Sequence, residues 1–215
     1  YLTPDVILVT NLYRDSFSRN ANPDFIFNVM SHYVSPKTKL VLNADDLISC
    51  RLAPQDANRV YYSIGRLADD TAEPQGIVCD LTACPVCGGK LEYDYCHLRH
   101  LGHATCKSCG FTNPEPDYEL TALDREAHTF TVCERSHEGA PTHTYRYGNY
   151  SITNLYNLFS TVVVARELGL SAEAIGASLE RGINVTALRY TEEEAGGKRL
   201  VAVASKGENS TATSV

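Results

Sequence analysis

The chain has 215 residues, 43% of them hydrophobic and 21% charged, the proportions of an ordinary globular protein with enough apolar material for a full core. Its formal net charge of -7 argues against a general nucleic-acid binder, which needs clustered Lys and Arg against phosphates. No apolar run approaches the roughly 18 residues of a membrane-spanning helix.

The opening DVILVTN is a short β-branched run and reads as a buried strand. It has no basic start and no small-residue cleavage site, so no signal peptide is expected. With Tyr as the first residue and STATSV as the last, both ends read as cuts in a longer protein. A polar loop follows, and Pro23 then opens DFIFNVMSHYV, a helix with proline in its first turn. TKLVLNA and RVYYSIG are further strands. Strands alternating with helices imply an α/β fold with a mostly parallel sheet and helices on its faces. Ligands in such sheets bind beyond the carboxyl ends of the strands. Two polar clusters sit there, Thr10-Asn11 and Asn43-Ala44-Asp45-Asp46, although Asn and Asp are also ordinary turn formers.

The pattern breaks near residue 82 and resumes near 112. Beyond it DYELTALD, AHTFTVCE and THTYRYG read as successive antiparallel strands. A long helix is expected from about Ile152 to Leu168, with Leu155, Leu158, Phe159 and Val162 on one face and Gly169 ending it. SAEAIGASLERG is a second helix, N-capped by Ser171 and closed by Gly182. KRLVAVAS reads as a last strand, the first element of another domain.

The interruption contains Cys84-Pro-Val-Cys87-Gly and Cys106-Lys-Ser-Cys109-Gly, separated by 18 residues. Each Cys-x-x-Cys turn can aim backbone NH groups at its sulfurs, and Gly88 and Gly110 follow where a positive φ is often needed. Four thiolates make a closed tetrahedral Zn²⁺ site, which is structural because no position is left for a substrate; iron suits the same sulfurs. The bland alternative is four free thiols or two disulfides. Cys96, His97, His100 and His103 lie in the loop between the pairs, expected to pack against the ribbon or face solvent. The other scattered cysteines, Cys50, Cys79 and Cys133, are expected to be plain buried residues along with Cys96. A module of this size has little core, so the metal should supply most of its folding free energy. Lys90, Arg99 and Lys107 are offset by Glu92, Asp94 and Glu115, so there is no basic stripe.

TNLYRD, LVLNADD, CPVCGGKLEY, HLGHATCKSCGF, NLYN and SKGEN occur in one order across nearly the whole chain. In this the chain resembles the MurT family, ligase subunits of lipid II isoglutaminyl synthase and a branch of the Mur ligase superfamily. The specific feature is a cysteine module inserted in a Mur-type domain. The resemblance implies a partial ATP-side central domain over 1–182, interrupted by a zinc ribbon at about 82–112, with the start of a C-terminal domain at 183–215. It implies a bacterial, cytoplasmic enzyme of peptidoglycan synthesis that uses ATP and Mg²⁺. Such an enzyme activates the D-glutamate α-carboxyl of lipid II as an acyl phosphate. Ammonia from a glutamine amidotransferase subunit then gives the amide.

By the same resemblance Asn154 and Asn157 face the adenine, a role to weigh against capping of the helix start. Thr10, Asn11 and Asp15 line the nucleotide side, and Asn43, Asp45 and Asp46 are further candidates. The lead-in GNYSIT, with Thr153, is looser than the family's. The family's glycine-rich phosphate loop and Mg²⁺-binding Glu lie upstream and its catalytic Asp downstream, so no catalytic residue is expected in this stretch. Two other readings compete: a zinc-ribbon interaction module on an α/β scaffold, and an amino-acid-adding Mur ligase, which would lack the ribbon.

Overall fold

Alternation along a pleated strand sends successive side chains to opposite faces. In Lys39–Asn43, Leu40 and Leu42 face one way and Val41 the other, and all three are fully buried. A strand buried on both sides belongs inside a covered parallel sheet. The computed structural model describes residues 3–12, 23–53, 58–75, 81, 83–99, 101–148, 155–182 and 190–203.

Within these, Val6–Val9 (β1), Lys39–Asn43 (β2), Arg59–Ile64 (β3) and Tyr118–Asp124 (β6) lie side by side in parallel. Thr129–Glu134 (β7) and Thr142–Arg146 (β8) extend the same sheet antiparallel, giving the order β1-β2-β3-β6-β7-β8. Leu91–His97 (β4) and Leu101–Cys106 (β5) form a separate antiparallel hairpin between β3 and β6 in the chain.

Helices cover both faces. On one, Leu155–Glu167 (α2) and Ala172–Arg181 (α3) pack on Val41, Tyr62, Leu120, Phe130 and Tyr145. Phe159 stands edge-on to Tyr62, with ring centroids 5.5 Å apart, a favoured aromatic geometry. On the other, Pro23–Tyr33 (α1) sets Ile26, Phe27 and Met30 against Leu40, Leu42 and Leu52. Ser171 caps α3 by accepting from the Ala174 amide, and Gly182 closes it at φ 70°. The far end of α2 is tied to the amino edge of the sheet: Lys39 and the Tyr118 hydroxyl both reach Glu167 at 2.7 Å, and Arg166 forks onto buried Glu134.

The expected strands and helices therefore form where the structure describes them, with three differences. The stretch between the cysteine pairs is a hairpin rather than a loop, because Leu98 and Arg99 take left-handed φ values that reverse the chain tightly. Lys198–Val203 (β10) is not a first element: it pairs antiparallel with Tyr190–Ala195 (β9), whose Thr-Glu-Glu-Glu run gives little strand signal. The long helix is described from Leu155, and Asn154 lies outside the described residues, as do Asp15, Cys79, His100 and Ser205 to Asn209. Cys50 and Cys96 are buried, but Cys133 is only half-buried because it lies on the outer part of the sheet.

Phe159 has no exposed surface and sits at the centre of the α2 face. Phe159→Ala should lower the unfolding free energy by about 3–5 kcal/mol through lost transfer energy and an unfilled cavity, measured by urea denaturation.

Candidate functional site

The two Cys-x-x-Cys turns meet at one point. Cys84 Sγ is 3.7 Å from Cys109 Sγ, Cys87 Sγ is 3.5 Å from Cys106 Sγ, and all four sulfurs lie within 4.8 Å of one another. Zn–S bonds of about 2.3 Å in a tetrahedron put sulfurs about 3.8 Å apart, so the donor set fits one metal ion. Each turn is built for this. The Gly88 amide donates to the Cys84 carbonyl and the Gly110 amide to that of Cys106, with φ of 73° and 74° at the two glycines. The Val86 and Gly89 amides point at the sulfurs of Cys84 and Cys87, both at 3.4 Å. The amides of Cys109 and then Ser108 pull the Cys106 thiol down to about 6, toward the thiolate that a metal requires. Cys84 and Cys106 are buried, while Cys87 and Cys109 form the exposed side.

The cluster is not a free appendage. Its small core shares Leu47 with the α/β unit, joined by Leu91 and Ala104. Arg51, whose guanidinium lies 4.8 Å from the centre of the Phe27 ring, donates to the Pro85 carbonyl at 2.8 Å. Gly102 lets β5 approach β4 closely: an added Cβ would lie 2.1 Å from the Tyr95 carbonyl oxygen.

At the carboxyl edge of the sheet the polar cluster that ends β2 is buried, and each of its three polar side chains is hydrogen-bonded within the protein. Asn43 donates to the Thr10 carbonyl at 2.9 Å and accepts from the Asp45 amide at 2.9 Å. Asp46 accepts from the Leu12 amide at 2.7 Å and the Ile48 amide at 3.0 Å. Asp45 accepts from the Ile64 amide and the Tyr156 hydroxyl, both at 2.8 Å on the same oxygen. Burial pushes the Asp45 carboxyl up to about 6 against the opposing effect of His97, and burial also raises that of Asp46. These three side chains brace the loop beyond β1, the end of β3 and the start of α2. Asn157 is exposed on the first turn of α2, Asn11 is exposed, and Thr10 is half-exposed.

Between the metal cluster and this edge runs a polar seam that residue spacing gave no sign of. His97 is 2% exposed; its Nδ1 lies 2.5 Å from Asp70, and its Nε2 lies 2.8 Å from the Ile64 carbonyl. A carbonyl can only accept, so Nε2 carries a proton. Asn113 donates to the carbonyls of Ala44 (2.6 Å) and Gly102 (3.0 Å) and accepts from the Ala104 amide (2.7 Å). His103, by contrast, faces outward and pairs with Asp94 at 2.6 Å.

No family model matches the chain. It is 31% identical over 180 residues to the lipid II isoglutaminyl synthase (glutamine-hydrolyzing) subunit MurT of Staphylococcus aureus (strain COL), covering 83% of this chain and 39% of that protein. Over 183 residues it is 25% identical to MurT of Streptococcus pneumoniae (strain ATCC BAA-255 / R6), covering 84% and 39%. The chain thus spans about two fifths of the length of these relatives. A pseudomurein peptide ligase type C from Methanothermus fervidus superimposes with TM-score 0.67 at 25% identity, over 85% of this chain and 35% of that one. UDP-N-acetylmuramoyl-L-alanyl-D-glutamate--2,6-diaminopimelate ligase shares the fold, with TM-score 0.53 at 13% identity over 93% and 32%. The sheet and its helices have the fold of these Mur-type ligases, with the cysteine ribbon set into it. Among such ligases the chain is MurT-like along most of its length.

Two outcomes are expected. Asp45 titrates at about 6 when folded against 3.8 in the free chain, so burial favours its neutral form. That contribution is fully present below about pH 4 and is lost as pH rises through 6. The stability of Asp45→Asn relative to the parent should therefore shift in the variant's favour by on the order of 3 kcal/mol from pH 4 to pH 7, read from urea midpoints. Titration with Co²⁺ should reach its end point at one ion per chain with the visible bands of a tetrahedral thiolate site, and Cys106→Ser should abolish those bands.

Proposed function

We propose that this chain is the ATP-side part of a MurT-type ligase that amidates the D-glutamate α-carboxyl of lipid II, with Zn²⁺ in the ribbon as a structural ion. The observation that carries the reading is the likeness to MurT over 83% of the chain, together with a four-cysteine cluster set into a Mur-type sheet. An interaction module on a neutral scaffold has no need of that sequence likeness, and an amino-acid-adding ligase has no need of the cluster.

In the proposed reaction a carboxylate oxygen attacks the γ-phosphorus of ATP and ADP leaves. Ammonia then attacks the acyl carbon and phosphate leaves. Catalysis of this kind rests on positioning and on charge neutralisation at the phosphates, which Mg²⁺ would supply. Nucleotide contact is assigned to Asn157 and Asn154 at the start of α2, and to Thr10, Asn11 and Asp15 beyond β1. An exposed side-chain amide offers a donor and an acceptor to an adenine edge. Asn43, Asp45 and Asp46 are given a supporting role, since their polar atoms are engaged with the protein itself. Four thiolates at tetrahedral separations suit Zn²⁺, and iron would suit the same sulfurs. Ammonia would come from a glutamine amidotransferase subunit, as the words "glutamine-hydrolyzing" and "subunit" in the relatives' names suggest. No helix among the described residues is long and apolar enough to cross a membrane. The proposed site of action is the cytoplasm of a bacterium, where the lipid-linked substrate would present its peptide.

The full-length protein co-expressed with its amidotransferase should convert lipid II to the amidated form with glutamine and ATP, followed by mass spectrometry. The 215-residue chain alone should neither hydrolyse ATP nor form amide, and turnover by it would sink the assignment of catalytic groups to other parts of the protein. The purified chain should carry about one zinc per molecule by elemental analysis, as a closed four-thiolate site predicts.

A further inference from the structure

Asp45 joins the ribbon to α2. The Gly102 amide of β5 donates to its carbonyl at 3.3 Å, and its carboxylate takes the Ile64 amide and the Tyr156 hydroxyl. Ile64 is gripped from both sides, its amide by Asp45 and its carbonyl by His97 of β4. His97 is in turn fixed by Asp70, whose other oxygen accepts from the Leu67 amide at 2.6 Å. His97, Asp45, Tyr156 and Ile64 are all buried. Tyr156 immediately precedes the exposed Asn157.

We infer that His97 and Tyr156 are positioning residues through which the ribbon hairpin fixes the first turn of α2 and hence the placement of Asn157. Apolar contact through Leu47 and Leu101 already joins hairpin and sheet, and a chain of buried hydrogen bonds is added to it. Removing one member leaves a buried donor or acceptor unmade, a cost that its neighbours can lower only by moving. The path from β4 to α2 is contiguous: His97 to Ile64, Ile64 to Asp45, Asp45 to Tyr156. The functional meaning of this coupling rests on the nucleotide reading of Asn157; the coupling itself does not.

The test is hydrogen exchange, read by mass spectrometry on the metal-loaded 215-residue chain, at the amides of Phe159, Ser160 and Thr161. These are the first amides of α2 that can bond back to carbonyls of its opening turn. His97→Ala should raise their exchange about tenfold or more, the effect of one buried hydrogen bond left unmade. His97→Gln, which keeps a donor at the Nε2 position, should restore most of the protection. Tyr156→Phe, which removes one oxygen and little packing, should raise the same exchange while the hairpin over 91–106 stays protected. Should His97→Ala fail to fold, Tyr156→Phe decides the matter. Exchange at 159–161 that stays at the parent level in Tyr156→Phe, or in a folded His97→Ala, overturns the inference. A separate arm measures binding of a non-hydrolysable ATP analogue with Mg²⁺ to the full-length protein. There Tyr156→Phe should weaken binding several-fold at a temperature well below its own unfolding midpoint, where the variant is fully folded, and Asn157→Ala should weaken it as well. If Asn157→Ala binds normally while Tyr156→Phe still loosens 159–161, the nucleotide reading falls and the coupling stands.

Discussion

A buried carboxylate holds this part of the molecule together. Asp45 is taken out of water at the end of β2 and accepts from the Ile64 amide and the Tyr156 hydroxyl. Its burial disfavours the charge; the nearby His97, by charge, and the hydrogen bonds from Ile64 and Tyr156 offset part of that cost. Because its partners come from β3 and α2, and its carbonyl takes an amide from β5, the carboxyl edge, the helix and the ribbon cannot shift independently. An apolar residue of similar size would fill the space but would offer no acceptor to the Ile64 amide or the Tyr156 hydroxyl.

The cysteine ribbon reads differently in that setting. Its four sulfurs meet at distances suited to a single ion, which gives a hairpin with a small core a reason to hold its shape. Its inner face carries His97, Gly102 and Ala104, and through Asn113 it also binds the Ala44 carbonyl. The ribbon thus lies against the edge of the sheet where parallel α/β folds place their ligands. A metal ion held by four sulfurs there would have no open position, and its effect would be on the geometry of its neighbours.

The opposite, amino edge is secured by charge. Glu134 and Glu167 hold the far end of α2 through Arg166, Lys39 and Tyr118. The helix is therefore fixed at both ends by polar contacts and along its length by Phe159, Val162 and Val163. Among the described residues its first turn meets the carboxyl edge through the Tyr156 hydroxyl, and its last turn is held by two ion pairs and the Tyr118 hydroxyl.

Much of this was legible in the residues. Alternating apolar strands, Pro23, Ser171 and Gly182 marked their elements because local backbone preferences act within a few residues. The two Cys-x-x-Cys turns marked a metal site because four sulfurs at that spacing have few other uses. Motif order alone pointed to the MurT-like stretch of a Mur-type fold. Only the tertiary structure decided which protein groups the acidic cluster bonds. Asn43, Asp45 and Asp46 look alike in sequence, and the partners of the two aspartates include Leu12, Ile64 and Tyr156, as many as 111 positions away. The same holds for His97, whose partners Asp70 and Ile64 lie 27 and 33 residues before it. Hydrogen bonds between distant segments leave no period or spacing in the chain, so the seam between ribbon and sheet became visible only when the fold had brought those segments together.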